Sequence, residues 1–266
     1  MNYKKHLKIA KQAILAPQNL IIDNFSKTLT VISKEGHDVR LAIDKKAEQK
    51  MIEEIEKKFP THGFNTEESG ERNIDNSFVW YIDPLDGTNN YFSGIPYFAS
   101  SIALSHEGSI VLSVIYNTIL EKMYCAVRNQ GAEINENKIQ NKNEVQNLTK
   151  ATICFIRGHR TFSVQTLLEE GNNLEEKLEG QFRRVIKMWA PVVDWGLLAE
   201  GKINAVICFE DELQELYAGT LLAKEAGLEV VDFTGQQITN STRRVIASNK
   251  YLKPGLVKLV KKIMGV

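Results

Sequence analysis

Apolar residues recur at helical spacing in the first 25 residues, where Leu7, Ala10 and Ile14 share a face and Lys8, Lys11 and Gln12 interrupt the run. This predicts an amphipathic helix, rather than an export signal, that Pro17 kinks or divides. Residues 43–59, IDKKAEQKMIEEIEKKF, set Ala47, Met51, Ile52 and Ile55 on one stripe, with Asp44 placed to cap the helix. The pattern then changes to short apolar runs: FVWYI (78–82), FASSIAL (98–104), SIVLSVIY (109–116) and KMYCAV (122–127). These read as strands, and the short connections at 106–108 and 117–121 predict antiparallel pairing. Beyond residue 148, TICFI and INAVICF predict strands, while TFSVQTLLEEG (161–171) and PVVDWGLLAEG (191–201) predict helices. ELYAGTLLAKEAG (215–227) reads as a helix stopped by Gly227. EVVDF and RRVIAS read as strands, and Leu256, Leu259, Val260 and Ile263 mark a last amphipathic helix. Long helices interleaved with antiparallel runs, without a strict βαβ period, predict an α+β chain with more than one sheet.

Composition adds mainly exclusions. The 266 residues include 33 basic and 33 acidic side chains, so no global field favours nucleic acid, a membrane surface or a polyanion. Three cysteines (Cys125, Cys154, Cys208) lack metal-like spacing and read as buried thiols of a reducing, cytoplasmic compartment. No run approaches the roughly 20 apolar residues needed to span a bilayer. The Asn/Lys-rich stretch 135–150 reads as a linker, dividing one compact unit into halves 1–148, with the acidic motifs, and 149–266.

The chemistry concentrates in WYIDPLDGTNNYFSG, residues 80–94. Asp, Pro and Gly are ordinary residues of a type I turn, and one reading is only that. The other is an ion site: Asp83 and Asp86, three apart in a tight turn stiffened by Pro84, face one hard cation with the Leu85 carbonyl as a third oxygen. Gly87 and Thr88 then begin a helix whose free amides suit a phosphate. A second acidic pair, Glu67-Glu68 in NTEESG, reads alone as a solvated turn. A two-metal site needs carboxylates from separate segments, so each acidic group strengthens the other.

Asp83 to Tyr91, DPLDGTNNY, resembles the first signature of the inositol monophosphatase family, D-P-[IVL]-D-G-T-x-N-[FY], in full. GIPYFASSIAL downstream, HGFNTEES upstream and DVRLAID ending at Asp44 resemble the segments around it. The likeness runs from about residue 5 to the C-terminus. It implies a layered αβαβα fold, commonly a homodimer, and a Mg²⁺-dependent phosphomonoesterase. Glu67, Asp83 and the Leu85 carbonyl would hold one of two or three Mg²⁺ ions (Mn²⁺ as substitute), and Asp86 would bridge to a second. Asp44, Thr88 and Glu67 would activate the attacking water, and the Gly87 and Thr88 amides would hold phosphate. The implied substrate is a small phosphorylated polyol or sugar such as inositol 1-phosphate. Alternatives are fructose 1,6-bisphosphate, 3′-phosphoadenosine 5′-phosphate, or a catalytically weak homologue acting as a binding or regulatory dimer. Neither nucleic acid nor membrane is indicated as a partner.

The chain also departs from the family. The second signature resembles W-D-x-A-[AG]-G-x-x-[IL]-x-x-E-A-G-G, and the E-A-G register puts Gln214 at its tryptophan and Glu215 at its metal-ligating aspartate. Glu215 keeps the charge with one more methylene, so shortening it to Asp is expected to improve ion binding. Met188-Trp189-Ala190-Pro191 stands where many members have G-[ST]-A-A, placing a bulky ring where glycine admits a polyol. A substrate-binding glutamate of the family falls on Cys208, with Glu210, Asp211 and Glu212 as possible replacements. Leu41 replaces a threonine, and Lys34 matches a basic position near the active site.

Overall fold

Pro17 divides the first apolar pattern into α1 (Lys4–Leu15) and α2 (Gln18–Asn24) in the computed structural model, which describes residues 2–25, 27, 31–35 and 38–265. The side chain of Lys34 lies outside what is described. A hairpin of β1 (Val31–Glu35) and β2 (Asp38–Leu41) leads into α3 (Ala42–Glu56), where Asp44 Oδ2 accepts from the Leu41 amide at 3.0 Å and closes the first turn. There follow β3 (Gly63–Thr66), β4 (Gly70–Arg72), β5 (Phe78–Asp86) and the short α4 (Thr88–Phe92). Next come β6 (Ala99–His106), β7 (Ser109–Asn117), β8 (Lys122–Val127), β9 (Gly131–Ile134) and β10 (Asn137–Ile139). The stretch expected to be a linker thus contributes a short strand. The eight strands are ordered β10-β9-β8-β7-β6-β5-β3-β4, antiparallel throughout except for β3 beside β5.

The second half contains β11 (Thr152–Arg157), α5 (Arg160–Ser163), α6 (Gln165–Leu178), β12 (Arg184–Ile186) and α7 (Pro191–Ala199). After these come β13 (Ala205–Phe209), α8 (Leu213–Glu225), β14 (Glu229–Asp232), β15 (Arg244–Ser248) and α9 (Lys253–Met264). Its five-stranded sheet is ordered β12-β11-β13-β15-β14, parallel across its first three strands. The helix expected over 161–171 is two helices, broken at Val164, which is extended (φ −128°, ψ 114°). Gly171 does not end α6. A Cβ there would lie 2.8 Å from Nε of Arg157, so the glycine lets the guanidinium pass close to mid-helix.

Apolar packing stacks these elements in five layers. Ile9, Ile14, Met51 and Ile55 of α1 and α3 cover one face of the large sheet through Trp80, Ile82, Ile102 and Leu104. Ala218, Leu221 and Leu222 of α8 and Val192 of α7 cover the other face through Ala99, Ala103 and Ile115. Trp195 and Leu216 turn the same helix pair towards Cys154, Val206 and Val245 of the second sheet, whose outer face meets α6 and α9 through Leu174 and Leu256. With both faces buried, β7 reads as a nearly continuous apolar run, while β6 fills its buried positions with Ser100, Ser101 and Ser105 as well as apolar residues. The result is the αβαβα order that the family resemblance implies. All three cysteines are free and buried. Among the described residues, no helix is long and apolar enough to cross a membrane.

Candidate active site

Residues three apart on a regular strand point to opposite faces of the sheet. Asp83 and Asp86 escape this rule through a bulge rather than the tight turn expected from the sequence. Asp83 pairs with Ser101 and Asp86 with Ala99, so Pro84 and Leu85 together oppose Ser100 alone. The extra residue reverses the alternation and turns both carboxylates the same way. Pro84, which has no amide hydrogen, is tolerated at such a bulge, and its carbonyl accepts from Ser100 Oγ at 2.7 Å. Asp83 Oδ1 accepts from the Leu85 amide at 2.9 Å, and the Leu85 carbonyl accepts from the Thr88 hydroxyl at 2.9 Å. Gly87 makes the corner at φ +84°. A Cβ there would lie 2.9 Å from the Tyr97 carbonyl oxygen and 3.0 Å from Cβ of Ala190, so only glycine fits.

Three other elements converge on this corner. The parallel register Thr66↔Ile82 and the bond from the Glu67 amide to the Ile82 carbonyl set Glu67 beside Asp83. Glu48, one turn beyond Asp44 on α3, accepts from the Glu68 amide at 2.8 Å and holds that loop down. The α7 N-terminus meets Asp86, whose Oδ2 accepts from the Val192 amide at 2.8 Å. The first turn of α8 supplies Glu215, and Gln214 beside it donates to Asn65 at 2.6 Å, tying α8 to β3.

One oxygen each from Asp83, Asp86 and Glu215 lie within 4.8 Å of one another, and all three residues are buried. Glu67, Leu85, Asp86, Gly87, Thr88 and Glu215 line a cavity of about 360 Å³. Asp44 is buried beneath the lining, close enough to help raise the pKa of Asp83. Three carboxylates that the sequence reading left unassigned also line the cavity: Asp194, Asp211 and Glu175, the last paired with Arg157 and Lys187. Asp194 Oδ1 accepts from the Tyr97 hydroxyl at 2.6 Å. Its sequence signal is a lone acid in the apolar helix PVVDWGLLA. Of the three candidate replacements near Cys208, only Asp211 faces the cavity; Glu210 pairs with Arg244 and Glu212 with Arg243. Cys208 itself is fully buried among Val206, Leu216 and Val245.

Burial raises the pKa values of Asp83, Asp86 and Glu215 well above the usual carboxylate range, with neighbouring carboxylates adding to it. Burial also lifts Asp211 to about 6 and Asp194 to about 7. Among the described residues none of these five is in an ion pair. Asp83 Oδ2 and Asp211 Oδ2 have no hydrogen-bond donor; carboxylates bond to each other only when one is protonated. Buried charges without partners are costly unless protonated or paired with a cation. An all-oxygen cluster of this kind fits a hard divalent cation.

The chain matches the inositol monophosphatase family over residues 2–265. It is 30% identical over 270 residues to the fructose-1,6-bisphosphatase/inositol-1-monophosphatase of Aquifex aeolicus, covering 100% of this chain and 98% of that one. It is 32% identical over 259 residues to the Nus factor SuhB of Pasteurella multocida, covering 95% of each. The solved inositol monophosphatase of Anabaena (Nostoc) sp. superposes with a TM-score of 0.86 at 26% identity, covering 98% of this chain and 97% of that one. By its bulged aspartate pair, its layered fold and these matches, the chain belongs to the inositol monophosphatase family.

Proposed function

We propose that the chain is a Mg²⁺-dependent phosphomonoesterase acting on a small phosphorylated polyol or sugar such as inositol 1-phosphate. The observation that carries this reading is the convergence of Asp83, Asp86 and Glu215, buried and in no ion pair among the described residues, beside the Gly87 corner. These three residues would hold the cation, with Glu67 and the Leu85 carbonyl completing the ligand set. A bound divalent cation acidifies coordinated water and neutralises charge developing on a phosphoryl group. The protein's own part is to position groups. The Gly87 and Thr88 amides receive the phosphate oxygens, and Thr88, with Asp44 and Glu67, orients the water. The reading includes a cytoplasmic homodimer whose halves, 1–148 and 149–266, fold as one unit.

A second reading, a catalytically weak homologue acting as a binding or regulatory dimer, is favoured by the relative named Nus factor and by the altered second signature. One assay separates the two. Mg²⁺-dependent phosphate release is measured from inositol 1-phosphate, fructose 1,6-bisphosphate and 3′-phosphoadenosine 5′-phosphate, with Asp86→Asn as control. Release above the control supports the enzyme; none on any substrate rejects it.

A further inference from the structure

Trp189 stands at φ +54°, in the left-handed region that a bulky side chain rarely adopts. Such strain persists only where the surroundings over-determine it, and it collects at functional sites. Here the surroundings are the phosphate corner. Asn90 Nδ2 donates to the Met188 carbonyl at 2.7 Å and to the Tyr97 carbonyl at 2.9 Å, fixing the residue before Trp189. Ala190 packs under Gly87, and the Val192 amide holds Asp86. The indole is thereby set at a fixed place in the same cavity as Asp86 and Thr88.

Trp189 is 45% exposed although the residues on either side are tied down. It stacks on Phe162 with centroids 5.7 Å apart and planes 23° from parallel, and His159 flanks it at 6.4 Å. The Arg157 guanidinium covers Phe162 at 4.7 Å. That guanidinium is already engaged: Nε donates to Thr161, one terminal nitrogen to Asn172 and Glu175, the other to the Leu168 carbonyl. Lys187 is paired with Glu175 and Glu179. Among the described side chains, this wall therefore offers flat apolar surface in preference to free cations for a second phosphate.

We infer that the cavity selects phosphomonoesters whose alcohol part carries a flat unsaturated ring, with Trp189 as the stacking surface. This rests on the phosphatase reading above and names its substrate class. An aromatic side chain under a flat ring gains from dispersion and stacking, whereas the hydroxyls of a polyol gain no comparable contact from the ring faces of Trp189 and Phe162.

The test compares wild type, Trp189→Gly and Trp189→Phe as the full chain with Mg²⁺, on adenosine 5′-monophosphate, phenyl phosphate and inositol 1-phosphate. The two flat probes distinguish a ring next to the ester from one carried on a sugar. Wild type is expected to favour at least one flat probe over inositol 1-phosphate in kcat/KM. The glycine variant is expected to lose about tenfold or more of that ratio, mainly through KM, and the phenylalanine variant to keep it within about threefold. A variant that folds poorly loses activity on all probes together and leaves the ratio unchanged. Binding is read separately by tryptophan fluorescence. Trp80 and Trp195 are fully buried, so quenching by adenosine 5′-monophosphate or phenyl phosphate in wild type but not in Trp189→Phe reports stacking on Trp189. A wild-type preference for inositol 1-phosphate, or an unchanged ratio in well-folded Trp189→Gly, overturns the inference while the phosphatase reading stands. If no probe is hydrolysed, the phosphatase reading fails and the quenching result alone decides the inference.

Discussion

Gly219→Ala tests whether the contact between α7 and α8 sets the acidic cluster. A Cβ on Gly219 would lie 2.2 Å from Cγ and Cδ1 of Trp195, whereas carbon atoms rest about 3.5–4.0 Å apart. The indole must retreat by at least about 1.3 Å, yet it is fully buried against Cys154, Val206 and Leu216. Overpacking of this kind costs about 1–3 kcal/mol and sometimes more, and alanine's better helix propensity returns about 1 kcal/mol. A clash with a whole ring belongs at the upper end, leaving a net loss of about 2 kcal/mol, or about 4–8 °C in Tm for a chain of this size. Asp194 adjoins Trp195, and Glu215 lies one turn before Gly219. Forcing the helices apart therefore also draws Glu215 away from Asp83 and Asp86, and the rise in Tm on adding Mg²⁺ should shrink. Calorimetry of both proteins with and without Mg²⁺ measures the two effects. A variant melting within about 1 °C of wild type would refute the packing argument. A destabilised variant with a full Mg²⁺ shift would refute the link from packing to the site.

Glu215→Asp is now expected to weaken Mg²⁺ binding, reversing the expectation from sequence. The glutamate oxygen already reaches the two aspartates, and losing a methylene withdraws it by roughly 1.5 Å. Titration calorimetry should show a loss of at least about tenfold; equal or tighter binding would show that reach was limiting after all. A third prediction concerns His62, half-buried in a stack with Phe59, Phe78 and His6, near His106, with Tyr3 and Lys5 alongside. Burial, then the charge of His6, pushes its pKa from 6.5 down to about 4, and its Nδ1 accepts from Trp80. The unfolded chain binds the proton more tightly, so this stability is full above pH 6.5 and is lost as pH falls towards 4. Discounted for partial exposure, the loss is about 1–2 kcal/mol. Raised carboxylates act in the opposite sense, so the comparison is between wild type and His62→Gln, whose Tm should fall less between pH 7 and pH 4.5. Parallel profiles would reject the assignment.

The long strands and helices were legible because each buries a regular stripe or two full faces. β6 and β7 are buried on both sides, and α9 carries Leu256 and Val260 at helical spacing. β4 and β10 were not legible. GER and NKI have no apolar alternation and are strands because neighbours pair with them. The candidate site divides similarly. The motif marked Asp83 and Asp86, but strand parity puts residues three apart on opposite faces, and only the pairing with β6 reveals the bulge that brings them together. Asp211 was hidden in an acidic run where Glu210 and Glu212 look equivalent. Tertiary contacts separate them: Glu210, at φ +59°, turns to Arg244, and Glu212 reaches Arg243.

The departures from the family are physically connected. Gln214, at the signature tryptophan, uses its amide to tie α8 to Asn65 of β3, the strand that Glu67 directly follows. That tether helps to set how far back α8 sits, and the longer Glu215 spans the distance to Asp83 and Asp86. Cys208 leaves a thiol in the core where the family has an acid, while Asp211, three residues on, brings an acid to the cavity wall beside Glu215. Without a cation, burial favours the protonated form of all five carboxylates. Cation binding therefore expels protons, and affinity should rise with pH as Asp211 and Asp194 pass their values near 6 and 7. On this account the acidic side of the cavity has been rearranged with its charge kept. The opposite wall, where Met188-Trp189 stands in the segment that resembles the family's G-[ST], presents an exposed indole, so differences from relatives should lie in the alcohol accepted more than in the phosphate chemistry.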